Sequence, residues 1–337
     1  MDVFSTGVLA RVVAELPRPA PFILNSFFRT IQTETSEEIH FDVDSGKRRL
    51  SPFVAPIVAG RLVESKGYKT STFKPAYVKD KRVFSSNRPF KRAIGERIGG
   101  ELSPAQRMQA LLATEIQDQL DMLTRRLEVM AVEALRTGAV TVKGDQYPET
   151  LVDFGRDAAL KVTLANATRW GEANVDPLAN LETWSMLVTQ KSGATATTVV
   201  MDVKAWQLFS ASARVQQLLD RFRGSDMLEP TVTGEGGRFM GSIGTFDIWV
   251  YAGWYDDPDT GALTAYLPDN TVIITSPELE GTQAFGAIRD EEAGFQALPF
   301  FTKSWIEKDP AVRILLMQSA PLPVPYRVNA AMSATVR

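Results

Sequence analysis

The chain has 337 residues, of which 44% are hydrophobic and 23% charged, proportions that exclude a disordered, collagen-like or wholly coiled-coil protein. Its 37 Lys/Arg against 40 Asp/Glu give a net charge of −3, which argues against a dedicated nucleic-acid-binding surface. It contains no cysteine and a single histidine, His40. Disulfides, cysteine-ligated metals, thiol catalysis and multi-histidine metal sites are thereby excluded, and a Ser–His–Asp site would have to use His40.

From the N-terminus, Met1 to Arg18 mixes Asp2, Arg11, Glu15 and Pro17 into a short apolar stretch, unlike the basic start and unbroken apolar run of a secretory signal. No tract approaches the roughly 18 apolar residues that a membrane helix needs. The expectation is a soluble protein with no membrane partner.

Charge is unevenly spread. Residues 1–100 carry 17 Lys/Arg and 10 Asp/Glu, and within 61–97 11 basic residues face only Glu64, Asp80 and Glu96. That segment reads as a long hairpin. Phe53 to Val58 is strand-like, with Pro52 and Pro56 restricting it to an edge or projection. A turn at Ser65-Lys66-Gly67 leads to returning strands at Thr70–Phe73 and Tyr77–Lys79. Lys66, Lys69, Lys74, Lys79, Lys81 and Arg82 cannot share one core, so the hairpin projects either as a solvated edge whose lysines resist aggregation or as a docking arm. Its length and weak core favour the arm.

The clearest helix spans 103–137. Ser103 supplies the N-cap and Pro104 the first helical position. Met108, Leu112, Ile116, Leu120, Leu123, Leu127, Met130 and Ala134 then recur at steps of three and four, which keeps one apolar face, and Gly138 stops it. At about 1.5 Å per residue the helix extends roughly 50 Å. Paired strands follow around Lys143-Gly144-Asp145, then a helix over 177–191, a strand over 197–201, and helices near 203–210 and 212–221. Ile243–Tyr251 and Leu263–Tyr266 bracket a turn at Asp256–Gly261, Thr271–Thr275 is a strand, and Val312–Gln318 is a final strand before a proline-rich tail at Pro321–Pro325. The class is α+β.

Motifs with chemical potential reduce to structure. Gly234-Glu235-Gly236-Gly237 fits neither phosphate-loop spacing and precedes a strand rather than a helix. Asp256, Asp257 and Asp259 beside Gly261 lack the terminal glutamate of a calcium loop and contain Pro258, so they read as a turn. The pairs Glu37/Glu38, Asp42/Asp44 and Glu291/Glu292 lack an apolar setting that would raise a carboxyl pKa for acid catalysis. His40, within Ile39–Val43, reads as a strand residue. No cofactor, metal site or enzymatic activity is expected.

Several blocks in order then resemble the major capsid proteins of lambda-like tailed bacteriophages, with the Hong Kong 97 type of capsid fold. They are Phe27-Phe28-Arg29, Ser51-Pro52 through Pro56-Ile57-Val58-Ala59-Gly60, Phe73-Lys74-Pro75-Ala76-Tyr77-Val78-Lys79, Leu267-Pro268-Asp269-Asn270-Thr271 and Met317-Gln318-Ser319-Ala320-Pro321-Leu322. The resemblance implies an N-terminal arm over 1–49 and an extended hairpin, or E-loop, over 50–85. It implies a peripheral domain over 86–156 with the 103–137 helix as its spine, an axial domain over 157–275, a return to the peripheral domain over 276–311, and a C-terminal axial strand and tail over 312–337. It further implies self-assembly into hexamers and pentamers of an icosahedral virion shell, formed in the host cytoplasm and enclosing double-stranded DNA without specific binding. A scaffolding protein, a portal and a decoration protein would be partners. Hairpin lysines crosslink to a neighbour in some relatives, whereas the lambda-like blocks favour noncovalent stabilisation. Lys66, Lys69, Phe73, Lys74, Tyr77, Lys79 and Arg82, with Phe27, Phe28 and Arg29 of the arm, are the expected inter-subunit contacts. An encapsulin-like cellular shell is the alternative.

Overall fold

In the computed structural model, residues 21–35, 38–43, 50–51, 53–54, 56–57, 59, 62, 69–73, 75, 77–85, 103–144, 147–219, 232–233, 236–309 and 312–337 are described. The expected turn at 65–67 and Lys66 and Lys74 lie outside them.

The arm begins with a short helix, α1 (Phe22–Phe27), whose Phe22, Ile23 and Leu24 are buried. Strand β1 (Thr30–Thr33) follows. Strands β2 (Ile39–Val43) and β3 (Lys69–Phe73) pair antiparallel, with Ile39 opposite Phe73 and Val43 opposite Lys69. This corrects the expected hairpin, whose outgoing strand was placed at 53–58. None of the described residues between Leu50 and Leu62 forms a strand. Two prolines within five residues remove ladder donors there, while Ile39–Val43 offers an uninterrupted alternating run. Strand β4 (Val78–Ser85) leads back to the body.

The spine helix, α2 (Pro104–Thr137), matches the sequence reading at both ends. Ser103 Oγ accepts from the Gln106 N–H at 3.3 Å, and the Gln106 side chain accepts from the Ser103 N–H at 2.8 Å, which satisfies two end donors reciprocally. Gly138 adopts φ 74° and donates its N–H to the Ala134 carbonyl at 3.0 Å. This left-handed stop suits glycine, which has no Cβ to clash. The apolar stripe from Leu112 to Ala134 is buried. Strands β5 (Ala139–Gly144) and β6 (Tyr147–Asp153) fold back as an antiparallel hairpin.

The next stretch builds the largest sheet. Its elements are β7 (Lys161–Thr163), α3 (Pro177–Ser192), β8 (Thr198–Met201), α4 (Val203–Ser210), α5 (Ala213–Leu218), β9 (Val232–Thr233), β10 (Gly237–Ile243), β11 (Phe246–Tyr251), the small pair β12 (Trp254–Asp256) and β13 (Leu263–Ala265), and β14 (Thr271–Thr275). The expected single strand Ile243–Tyr251 is instead broken by a hairpin turn, with Ile243 ending β10 and Phe246–Tyr251 forming β11. Gly244 at φ 58° turns the chain within two residues, and Ile243 faces Phe246.

The C-terminal part holds β15 (Gly281–Phe285), β16 (Phe301–Glu307), β17 (Val312–Ser319), β18 (Pro321–Pro325) and β19 (Ala331–Thr335). The seven-stranded sheet runs β7-β19-β14-β8-β11-β10-β9, and two three-stranded sheets run β1-β15-β18 and β16-β17-β4. Strand β17 thus pairs with β16 and β4, and the strand that joins the large sheet is β19. The proline-rich segment is no tail but an edge strand buried at every residue. Prolines at alternate positions leave the Leu322 and Val324 N–H groups to serve β15, so the missing donors all fall on the unpaired edge.

Two cores result. One gathers the arm, the spine helix, β15 and β18. The other lies under the large sheet, where Trp170 is fully buried with Trp184 stacked at 6.1 Å and Phe209 at 5.7 Å between centroids.

Candidate inter-subunit surfaces

The sequence-derived contact residues occupy different environments. Phe28 is fully buried and Phe27 packs against the core. Arg29 is exposed, its Nε donating to the Ser26 carbonyl at 3.1 Å. Lys69 sits in β3, and Phe73 packs partly against the core. The Tyr77 hydroxyl donates to the Ala287 carbonyl at 2.5 Å and accepts from the Arg289 N–H at 3.0 Å. Exposed Lys79 stacks on the Tyr77 ring at 5.4 Å. Arg82 ties β4 to the spine helix, reaching Glu115 at 2.7 Å, Asp118 at 2.6 Å and Asp80 at 3.2 Å. Burial lowers the guanidinium's pKa, but hydrogen bonds to Asp118 and Glu115 and the charge and bonds of Asp80 outweigh it, leaving the group more strongly protonated than usual.

A feature that charge reading underweighted lies in the 50–62 segment. Leu50, Phe53, Ile57 and Leu62 are 95%, 106%, 98% and 99% exposed. Isolated apolar residues on a surface are normal, but with Val54 at 40% the described residues of 50–62 present five large exposed apolar side chains. Val83 on β4 is also exposed, at 60%.

Two further anchors on or against the spine helix went unread in the sequence, Glu128 within it and Arg156 after β6. Glu128, 1% exposed, accepts the Ile23 and Leu24 N–H groups at 2.8 Å each and the Tyr251 hydroxyl at 2.7 Å. Between Leu127 and Met130 it reads as an ordinary helical glutamate, and its partners lie more than a hundred positions away. At the helix end Arg156 donates to the carbonyls of Leu135 at 2.6 Å, Ala134 at 3.1 Å and Val328 at 3.3 Å. A cation suits the negative end of a helix dipole, and although burial pushes its pKa down to about 9, it stays protonated at neutral pH. Gly138 makes room for this arrangement, since a Cβ there would lie 2.5 Å from that of Arg156.

The other sequence motifs fall into structural roles. Asp257 accepts from the Asp259 N–H at 3.0 Å and the Thr260 hydroxyl at 2.9 Å, closing the turn between β12 and β13. Gly237 opens β10, and His40 lies in β2 opposite Thr72. Among the described residues no cluster of three or more His, Cys, Asp or Glu is arranged to hold a metal ion, and no helix is long and apolar enough to cross a membrane.

The chain is 29% identical over 332 residues to the major capsid protein of Escherichia phage lambda and 28% identical over 332 residues to that of Escherichia phage N15, with 96% of both chains covered in each case. The crystal structure of a prophage capsid protein from E. coli CFT073 superimposes with a TM-score of 0.77 at 23% identity, covering 98% of this chain and 99% of the other, which establishes the same α+β capsid fold. The family model described as phage major capsid protein E matches residues 5–336. This chain therefore belongs to the phage major capsid protein E family, a family of structural capsid proteins.

Proposed function

We propose that this protein is the shell subunit of an icosahedral phage head, assembling as hexamers and pentamers around double-stranded DNA. Leu50, Phe53, Ile57 and Leu62 carry the proposal, because a subunit that leaves such residues bare is completed by its neighbours. The basic excess of 61–97 sits against an acidic remainder of the chain. Opposite charge then steers the hairpin, Lys66 through Arg82, onto a neighbouring subunit, while burial of the adjacent apolar residues supplies affinity. Each contact is weak alone, and closure multiplies it over many copies. Scaffolding, portal and decoration proteins are the further partners on this reading, and the arm over 1–49, the hairpin over 50–85 and the peripheral and axial units are its working parts.

Negative-stain electron microscopy of the purified protein, alone and with the products of neighbouring genes, tests it. Closed shells or ring-shaped capsomers are expected, and a monodisperse monomer under every condition would refute it. Charge reversal at Lys69 and Lys74 to glutamate is expected to cut shell yield without unfolding the subunit; unchanged yield would remove the hairpin from the assembly mechanism.

A further inference from the structure

Helix α1 sits as a wedge between the spine helix and the large sheet. On one side the Phe22 ring meets Trp249 and Tyr251 of β11 at 5.2 and 5.5 Å. On the other, Glu128 of the spine gathers its first N–H groups and the Tyr251 hydroxyl. One carboxylate thus joins three parts of the chain, reaching across 105 positions to Ile23 and 123 to Tyr251. Such a short helix does not persist in water by itself, so α1 exists because it is held.

Two open clefts flank the wedge, one of about 420 Å³ lined by Phe22, Ser26, Phe27, Thr198 and Ser276, and one of about 320 Å³ lined by Leu24, Asn25, Leu120 and Leu127. Besides the apolar packing, the strap is gripped at Glu128, by the Gln283 amide, which donates to the Phe28 carbonyl at 2.7 Å, and at Gly281. A Cβ on Gly281 would stand 2.2 Å from the Phe27 carbonyl oxygen, so only glycine lets the arm lie this close. Beyond these points β1 is exposed at all four residues and adds in parallel to the edge of β15, with Thr30 opposite Thr282.

We propose that Glu128 is a latch that holds the arm, residues 21–34, on its own subunit and thereby sets the register in which β1 completes the β15–β18 sheet. It acts through the backbone of α1 and is a positioning residue. With the carboxylate gone, two helix-end donors and a buried hydroxyl lose their acceptor together, and the strap from Pro21 to Glu34 opens as one unit while the large sheet stays closed. Any use of the freed arm between subunits rests on the shell reading above; the latch itself does not.

Amide hydrogen exchange on the full-length subunit tests this with four variants. In E128A, exchange over residues 22–34 is expected to rise roughly tenfold or more, as local opening becomes easier, while β14 and β19 keep wild-type protection. E128Q, with one acceptor oxygen for three donors, falls between E128A and wild type. Y251F, which keeps the ring against Phe22 and loses one bond, shows the smallest rise. G281A attacks the same strap from the opposite side with Glu128 intact and shows the signature of a freed arm, against which E128Q and Y251F are read if E128A does not fold. Unchanged exchange over 22–34 in E128A, or in E128Q and Y251F if E128A does not fold, or loss of protection spread evenly across the large sheet, would overturn the proposal. Because the measurement is made on the subunit, its failure is distinguishable from failure to form shells.

Discussion

The large sheet and the hairpin segment treat apolar residues in opposite ways. In β14 every residue from Thr271 to Thr275 is buried, and β8, β19, Trp170 and Phe209 close around it. Thirteen positions of the hairpin, 50–62, instead present Leu50, Phe53, Ile57 and Leu62 almost fully to solvent. Hydrophobic burial drives folding in the first region, and in the second the same driving force is left for association. The spine helix joins the two, with Arg82 anchored at its outer half and Arg156 at its inner end.

That contrast can be tested by variants of graded effect. The largest is expected from Trp170→Ala, which opens a cavity in a closed core and should cost about 3–5 kcal/mol in urea unfolding. A smaller loss, about 1–2 kcal/mol after discounting for partial exposure of the pair, is expected from Arg82→Ala, which removes the cation shared by Glu115, Asp118 and Asp80. Its effect on exchange should be confined to β4 and the facing turns of α2. If it equals that of Trp170→Ala, the hairpin's root belongs to the closed core after all.

Acid sharpens the comparison next. Burial alone would raise the Asp290 carboxyl, but bonds from Lys303, at 2.6 Å, from Gln318, at 2.8 Å, and from the Glu292 N–H outweigh it and hold its pKa below the usual value. The stabilisation is therefore complete above the unfolded value near 4 and is lost as pH falls through the lower folded value. Acid titration followed by fluorescence should report loosening around Trp305 below about pH 4, and Asp290→Asn should flatten that step. The smallest stability effect is expected from Phe53→Ser with Ile57→Ser, within about 0.5 kcal/mol of wild type for the subunit, together with loss of shells by electron microscopy.

How much of this was legible in the sequence follows from where each signal sits. The spine helix announces itself locally, with Ser103-Pro104 at its start, apolar steps of three and four, and Gly138 at its stop. The five blocks that resemble lambda-like capsid proteins brought the fold with them. Non-local pairing was harder. The Phe53–Val58 segment looks more strand-like than Ile39–Val43, yet the latter pairs with β3, because prolines remove donors that a ladder needs. The run Pro321–Pro325 read as a tail because proline is usually a breaker; its spacing of two, which keeps the intervening donors on one side, was the overlooked signal. Glu128 carried none, since its role is set by backbone groups of Ile23 and Leu24 that no local pattern places beside it.

The contrast between a finished core and a waiting surface is tested most directly by hydroxyl-radical footprinting of free subunits and of closed shells. Phe53 should be modified readily in the subunit and protected in the shell, while Trp170 stays unmodified in both. Equal modification of Phe53 in the two states would show that assembly leaves the hairpin's apolar face bare, and would contradict its role in joining neighbours.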